Sequence, residues 1–151
     1  TEEGGPYIEN VQRLLRKFET AKTYVPGPVI QQAARPTRIG VVHYGSTAAA
    51  MDEAATLLAK QGVDIDVLRV RGFPFADEII DFIDKHDTVF VEQNRDAQLR
   101  TLLMAEHGLS PDKLVALLHY DGTPITARFI TAAIANLVGK TTAPGKEKAL
   151  T

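Results

Sequence analysis

The chain has 151 residues, 44% of them hydrophobic and 24% charged, with a net charge of −2 and no cysteine. That length suits one domain able to bury roughly two-thirds of its unfolded surface, and the composition is globular. The small net charge argues against nucleic acid or an acidic membrane surface as a partner, and the lack of cysteine excludes disulfides, a thiol nucleophile and any cysteine-held iron–sulfur cluster in this polypeptide.

No run approaches the roughly 18 apolar residues of a membrane span, and no basic-then-apolar leader opens the sequence, so cytoplasm is the expected location. His43, His86, His107 and His119 show no H-x-x-x-H spacing, and no metal is expected. The chain opens Thr-Glu-Glu-Gly-Gly, with weak folding signals before Tyr7, which suits a linker from another domain.

In chain order, residues 7–22 place Ile8, Val11, Leu15 and Phe18 at helical spacing and predict an amphipathic helix. Val25-Pro26-Gly27-Pro28 stops it, because proline removes a donor and biases its predecessor away from helix. A short strand is expected within 28–34, about Val29–Gln32. Arg38–His43 is a β-branched apolar run of the kind found in buried parallel strands. Gly45-Ser46-Thr47 turns into a helix to about Lys60, with Met51, Ala54, Ala55 and Leu58 on one face and Gly62 as its left-handed stop.

Val63–Val70 alternates as a strand, and Phe73-Pro74-Phe75 leads into a helix that turns Ile79, Ile80 and Ile83 inward. Thr88–Glu92 predicts a strand, Asp96–His107 a helix carrying Leu99, Leu102 and Leu103, and Lys113–His119 the last strand. The last helix, Thr126–Val138, has Thr126 as N-cap and turns Ile130, Ala133, Ile134 and Leu137 inward. The polar tail from residue 140 is expected to be flexible. The division expected is a linker and connector helix over 1–28, one domain over 29–139 and a tail over 140–151. Strand–helix alternation of this kind makes an α/β fold, a mostly parallel sheet between two layers of helices.

Ligands of such sheets bind beyond the carboxyl ends of the strands, and three polar segments leave those ends. Gly45-Ser46-Thr47 either cradles an anion at a helix N-terminus or caps that helix through Ser46 or Thr47. Glu92-Gln93-Asn94 offers a carboxylate as general base; alternatively Glu92 accepts loop amides while Asn94 takes a left-handed conformation. Tyr120-Asp121-Gly122 suits a tight turn in which the Asp bonds its own backbone. The G-D-G…N arrangement that holds magnesium and a thiamine pyrophosphate is missing, as are the P-loop and G-x-G-x-x-G. A Ser46/His43 or His119/Asp121 or Asp96 hydrolase lacks the G-x-S-x-G elbow, and His43 suits a packed, hydrogen-bonded core position. Phe73 and Phe75 either form an exposed docking corner or pack beneath the helix that follows.

Taken together, V-V-H-Y-G-S-T at 41–47, R-V-R-G-F-P-F at 69–75, V-F-V-E-Q-N-R-D-A-Q-L at 89–99 and Y-D-G-T-P-I-T at 120–126 resemble the C-terminal, transketolase-C-terminal-like domain of the α subunit of 2-oxoacid:ferredoxin oxidoreductases. The most specific element is Glu92-Gln93-Asn94 with Gln98 and Leu99. N-x-x-R-x-x-R-K-F-E-T-A at 10–21 is similar to the connector from a preceding pyrimidine-binding domain, and Ala76 departs from the relatives' P-F-P.

The resemblance, nearest to the 2-oxoglutarate type, implies a five-stranded sheet of order 1-3-2-4-5 with strand 1 antiparallel. It implies a parent enzyme that decarboxylates a 2-oxoacid on thiamine diphosphate with Mg2+, passes the acyl group to coenzyme A, and sends electrons through a [4Fe-4S] cluster to ferredoxin. Cofactors and cluster would sit on a β subunit, the substrate on the rest of the α subunit, and this chain would hold no catalytic, cofactor or metal residue. Ser46, Thr47, Glu92, Gln93, Asn94, Gln98, Tyr120 and Asp121 then make a loop rim for docking. The alternatives are the equivalent domain of a transketolase or oxoacid dehydrogenase β chain, and a stand-alone flavodoxin-like module that binds a small molecule.

Overall fold

A computed structural model describes residues 2–142. Helix α1 (Gly4–Lys22) leads to strand β1 (Val29–Gln31). Four strands then alternate with helices: β2 (Ile39–Tyr44), α2 (Thr47–Lys60), β3 (Asp66–Val70), α3 (Asp77–Lys85), β4 (Asp87–Glu92), α4 (Gln98–His107), β5 (Leu114–Leu118) and α5 (Ala127–Thr142), with one 3-10 turn at Pro111–Lys113. The sheet order is β1-β3-β2-β4-β5, and β1 alone is antiparallel, with Ile30 opposite Leu68. The expected topology is the observed one.

Two apolar clusters cover the two sheet faces, because alternate strand residues point to opposite sides. Val41, Val67, Val89 and Val91 meet Met51, Ala54 and Leu58 of α2 and Ile130 and Ile134 of α5. On the other face Val42, Leu68 and Phe90 meet Ile79, Phe82 and Ile83 of α3 and Leu99 and Leu103 of α4. Leu102, expected inward, is exposed, since it faces the cleft described below.

Other differences fall at element ends. α1 begins three residues before Tyr7, and α5 runs through Thr142, so residues 140–142 of the expected tail are helical; the rest of that tail lies outside the described residues. α4 starts at Gln98 rather than Asp96 because Ala97 takes a left-handed backbone, φ +49°. Gly62 is left-handed at the end of α2, φ +80°, as expected, and Thr126 Oγ1 accepts the Phe129 amide at 3.2 Å as the cap of α5.

At the strands' amino ends His86 ties three elements together. Its Nδ1 donates to the Phe82 carbonyl at 2.7 Å and its Nε2 lies 3.0 Å from Asp66 Oδ2, while Asp66 Oδ1 accepts the Ala33 amide at 2.8 Å. Gly40 makes room for this: a Cβ there would stand 2.7 Å from both His86 Cβ and Phe82 Cε1. Gly40→Ala should therefore lower stability by about 2 kcal/mol through overpacking, measured as a drop in the urea midpoint with an unchanged slope.

Candidate functional site

The three polar segments singled out from sequence converge at the carboxyl ends of β2, β4 and β5, where Gln93 is the joint. Its Nε2 donates to Ser46 Oγ at 3.0 Å and Thr47 Oγ1 at 3.1 Å, and its Oε1 accepts the Ile125 amide at 3.3 Å. One side chain thus links the exits of β2 and β4 to the segment entering α5. The hydroxyls of Ser46 and Thr47 act as acceptors for this amide, and Ser46 makes no capping bond to α2. The capping expectation is corrected: Ser46 is already helical in backbone (φ −72°, ψ −9°), a conformation unlike the extended one from which an N-cap oxygen reaches back.

Glu92 is fully buried. Its Oε1 accepts the Arg100 amide at 3.0 Å, and its Oε2 accepts the Leu99 amide and Asn94 Nδ2, both at 2.8 Å. A carboxylate is thereby held against the unsatisfied amides of the first turn of α4, where the helix dipole also favours negative charge. Asn94 completes the arrangement. Its Nδ2 donates to Tyr44 OH at 3.2 Å as well, and its Oδ1 accepts the amides of Asp96 and Gln98 at 3.0 and 3.2 Å. The structural reading of Glu92 holds, whereas the left-handed residue is Ala97 and not Asn94.

Tyr120-Asp121-Gly122 is the tight turn expected. Asp121 Oδ1 accepts the amide and hydroxyl of Thr123 at 2.8 and 2.7 Å, and Gly122 is left-handed at φ +87°. The Thr123 amide, then its hydroxyl, hold the Asp121 carboxyl below its ordinary range. His119 donates from Nε2 to the Thr123 carbonyl at 2.9 Å, and its ring packs on Phe129. No hydrogen bond among the described residues joins Ser46 to either histidine, so a hydrolase constellation is not assembled. His43 is packed as expected but not bonded: its Nδ1 has no partner. Burial, then the nearby Arg69 guanidinium, push it down to about 4, with Asp52 opposing.

No family model and no curated protein matches this chain. Solved structures do. The 2-oxoglutarate:ferredoxin oxidoreductase from Magnetococcus marinus, solved with 2-oxoglutarate, coenzyme A and succinyl-CoA bound, matches with a TM-score of 0.78 and 16% identity over 90% of this chain and 24% of that one. A split-gene transketolase, an inactive β4 tetramer, gives 0.57 and 18% over 74% of this chain and 41% of that one. The alpha chain of a probable 2-oxoacid ferredoxin oxidoreductase from Thermoplasma acidophilum gives 0.51 and 21% over 75% and 97%.

The chain has the transketolase C-terminal-like fold. This transketolase C-terminal-like chain spans about a quarter of the length of the Magnetococcus chain, and at these identities the likeness carries the fold.

Beside the rim of this transketolase C-terminal-like domain lies an apolar cleft of about 460 Å³, walled by Tyr44, Val70, Phe73, Phe75, Leu99 and Leu102. The two phenylalanines divide between the sequence readings: Phe75 is buried in the α3–α4 core, whereas Phe73 stays exposed and stacks edge-on against it at 5.0 Å. Gln98, also expected in the rim, lines this cleft. Sequence reasoning missed Tyr44 and Ile125 as rim partners, and the Asp66–His86 pair at the opposite end of the sheet. The one available signal was an aspartate in an alternating strand, which needs a partner when half-buried.

Proposed function

We propose that this chain is the C-terminal domain of the α subunit of a thiamine diphosphate-dependent 2-oxoacid:ferredoxin oxidoreductase of the 2-oxoglutarate type, and that it serves assembly rather than chemistry. One observation carries the second half: every polar side-chain atom of Glu92, Gln93 and Asn94 has a partner inside the fold. A general base needs an oxygen within reach of a substrate proton, and the oxygens of Glu92 are held by α4.

The same residues do not fit thiamine diphosphate or its magnesium, because their oxygens and amides are already engaged within the fold. Among the described residues no three His, Asp or Glu side chains gather as a metal site, and none of their helices is long and apolar enough to cross a membrane. In this reading the partners are the remainder of the α subunit and a β subunit that carries thiamine diphosphate, Mg2+ and the [4Fe-4S] cluster, in the cytoplasm. That assembly would oxidatively decarboxylate 2-oxoglutarate, hand the acyl group to coenzyme A and reduce ferredoxin. The domain division at 28 and 139 belongs to the same proposal.

Thermal unfolding of the chain with thiamine diphosphate, coenzyme A, flavin or nucleotide tests it. The expected result is an unchanged Tm with each ligand and no consumption of 2-oxoglutarate. A ligand at ~100 times its Kd would add about 2.7 kcal/mol, so a rise with flavin or nucleotide would instead assign a stand-alone binding module. Adding the domain to the remaining α polypeptide and the β subunit should restore ferredoxin reduction that those parts lack.

A further inference from the structure

A neutral imidazole carries one N–H, yet both ring nitrogens of His86 face an acceptor. Nδ1 lies 2.7 Å from the Phe82 carbonyl, in the last turn of α3, and Nε2 lies 3.0 Å from Asp66 Oδ2. Both contacts are hydrogen bonds only when the pair holds one proton beyond a neutral ring and an ionised carboxylate. That count is the same whether the proton sits on Nε2 or on Asp66. The ring has no room to turn away. It is buried, stacks on Phe82 with centroids 4.2 Å apart, and leaves no space for a Cβ on Gly40.

We propose that the Asp66–His86 pair is a proton-operated latch on the chain that follows β1, closed while the extra proton is present and released as it leaves. Once the proton is gone, the remaining N–H stays on Nδ1, whose acceptor belongs to a helix C-terminus. The bare Nε2 then opposes a carboxylate oxygen, and Asp66 is the part that moves. Its backbone is fixed in register with Gly40 of β2, so the side chain must swing, and Oδ1 gives up the Ala33 amide that it accepts at 2.8 Å.

β1 depends on that bond more than any other strand would. It has three residues, all exposed, and pairs on one side only, with β3. A cleft of about 640 Å³ bordered by Gln32, Ala33, Thr37, Asp66 and His86 leaves room for the movement and for water. The release is local. Arg35 stays paired with Asp64 at 2.6 Å and the Thr37 hydroxyl stays on the Asp64 carbonyl at 2.8 Å, so the chain is still held beyond residue 34.

The other charged groups on this cleft are Glu78, Asp81 and Lys85 of α3 and Arg35, while Asp87 follows His86 into β4 and lies 3.8 Å from Arg38 of the β2 entrance. The acids favour the proton and the bases oppose it, with Arg35 already matched by Asp64. Among the described residues Asp66 is the acid bonded to the ring, and its state decides the outcome. The sign follows: raising pH removes the proton and loosens β1. The latch does not depend on the oxidoreductase reading, and its failure would leave that reading intact.

Amide hydrogen exchange of the chain from pH ~5.5 to ~8.5, a range bracketing the ordinary histidine value of about 6.5, reads the latch at Ala33. Its protection, corrected for the intrinsic exchange rate, should fall about tenfold or more as pH rises, while that of Val42 in the central strand stays constant. The ring-nitrogen shifts of His86 should change in step with Ala33. Asp66→Asn separates a latch from a static bond. Its carboxamide oxygen can still accept the Ala33 amide and its NH2 can donate to the neutral ring, so Ala33 should stay protected throughout. Wild-type protection at Ala33 that is flat with pH, ring shifts that change at a different pH, or an Asp66→Asn chain with the wild-type dependence would overturn the proposal.

Discussion

Glu92→Ala is expected to be the most damaging single substitution in the rim, costing about 4 kcal/mol. Three donors point at this buried carboxylate; the amides of Leu99 and Arg100 lose their partner at once, while Asn94 Nδ2 keeps only its bond to Tyr44 OH. A buried donor left unsatisfied costs about 1–3 kcal/mol, and the vacated volume adds a cavity contribution. Glu92→Gln separates the two effects. It keeps the volume and one acceptor oxygen but turns an amide NH2 toward a backbone N–H, so about 2 kcal/mol should be lost. Chemical unfolding of the three proteins measures the order, with wild type most stable and alanine least. Hydrogen exchange adds a local readout: the amides of Leu99 and Arg100 should lose protection before those of β2. An alanine variant as stable as wild type would mean that the carboxylate does not anchor α4.

This anchoring explains why the rim was readable as a cluster but misleading as chemistry. Consecutive Glu, Gln and Asn at a strand end look like reactive groups, and their types do carry information. They are needed because three chain segments leave the sheet side by side and their backbone groups require partners. The partners themselves are set by tertiary geometry. Gln93 reaches Ser46 and Thr47, some 46 positions earlier in the chain, and Ile125, 32 positions later. No local pattern encodes such a span. Ser46 looked like a cap because serine favours that position, and the tertiary bond to Gln93 overrode the local preference.

The fold was legible for a different reason. Apolar periodicity is local, and in this chain it switches cleanly between periods of 2 and 3.6. The runs Ile39–Tyr44 and Asp87–Glu92 therefore sit where expected in the sheet. Even the three-residue β1, a weak signal, follows once the strand order is expected from the resemblance. The amphipathic pattern of α1 was equally clear, yet periodicity states only that a face must be covered, not by what. In the folded chain that face stays exposed apart from the contact of Phe18 with Phe73, whereas the same rule located α2 and α5 against the sheet.

Stability should also fall as pH is lowered through the titration of His43. The folded environment depresses this histidine from 6.5 to about 4, first by burial and then by the Arg69 guanidinium. The sign follows from linkage: between these values the unfolded chain takes up a proton that the folded chain refuses. The contribution is fully present above the unfolded value, declines as pH drops toward about 4, and is flat below it. A displacement of that size corresponds to about 3 kcal/mol, and His43 is buried enough for solvent screening to remove little of it.

His43→Leu isolates the effect, because it keeps an apolar-compatible volume and removes both the titration and the unpartnered Nδ1. Unfolding free energies measured from pH ~7 to ~4 should diverge progressively, with the variant gaining about 3 kcal/mol relative to wild type over that span. The exposed carboxyls of Asp77 and Asp121, both depressed by their hydrogen bonds, titrate identically in the two proteins and cancel from the comparison. Parallel pH curves, or an imidazole proton signal for His43 that titrates near its ordinary value, would show that the ring is hydrated and the strand position less closed than its packing requires.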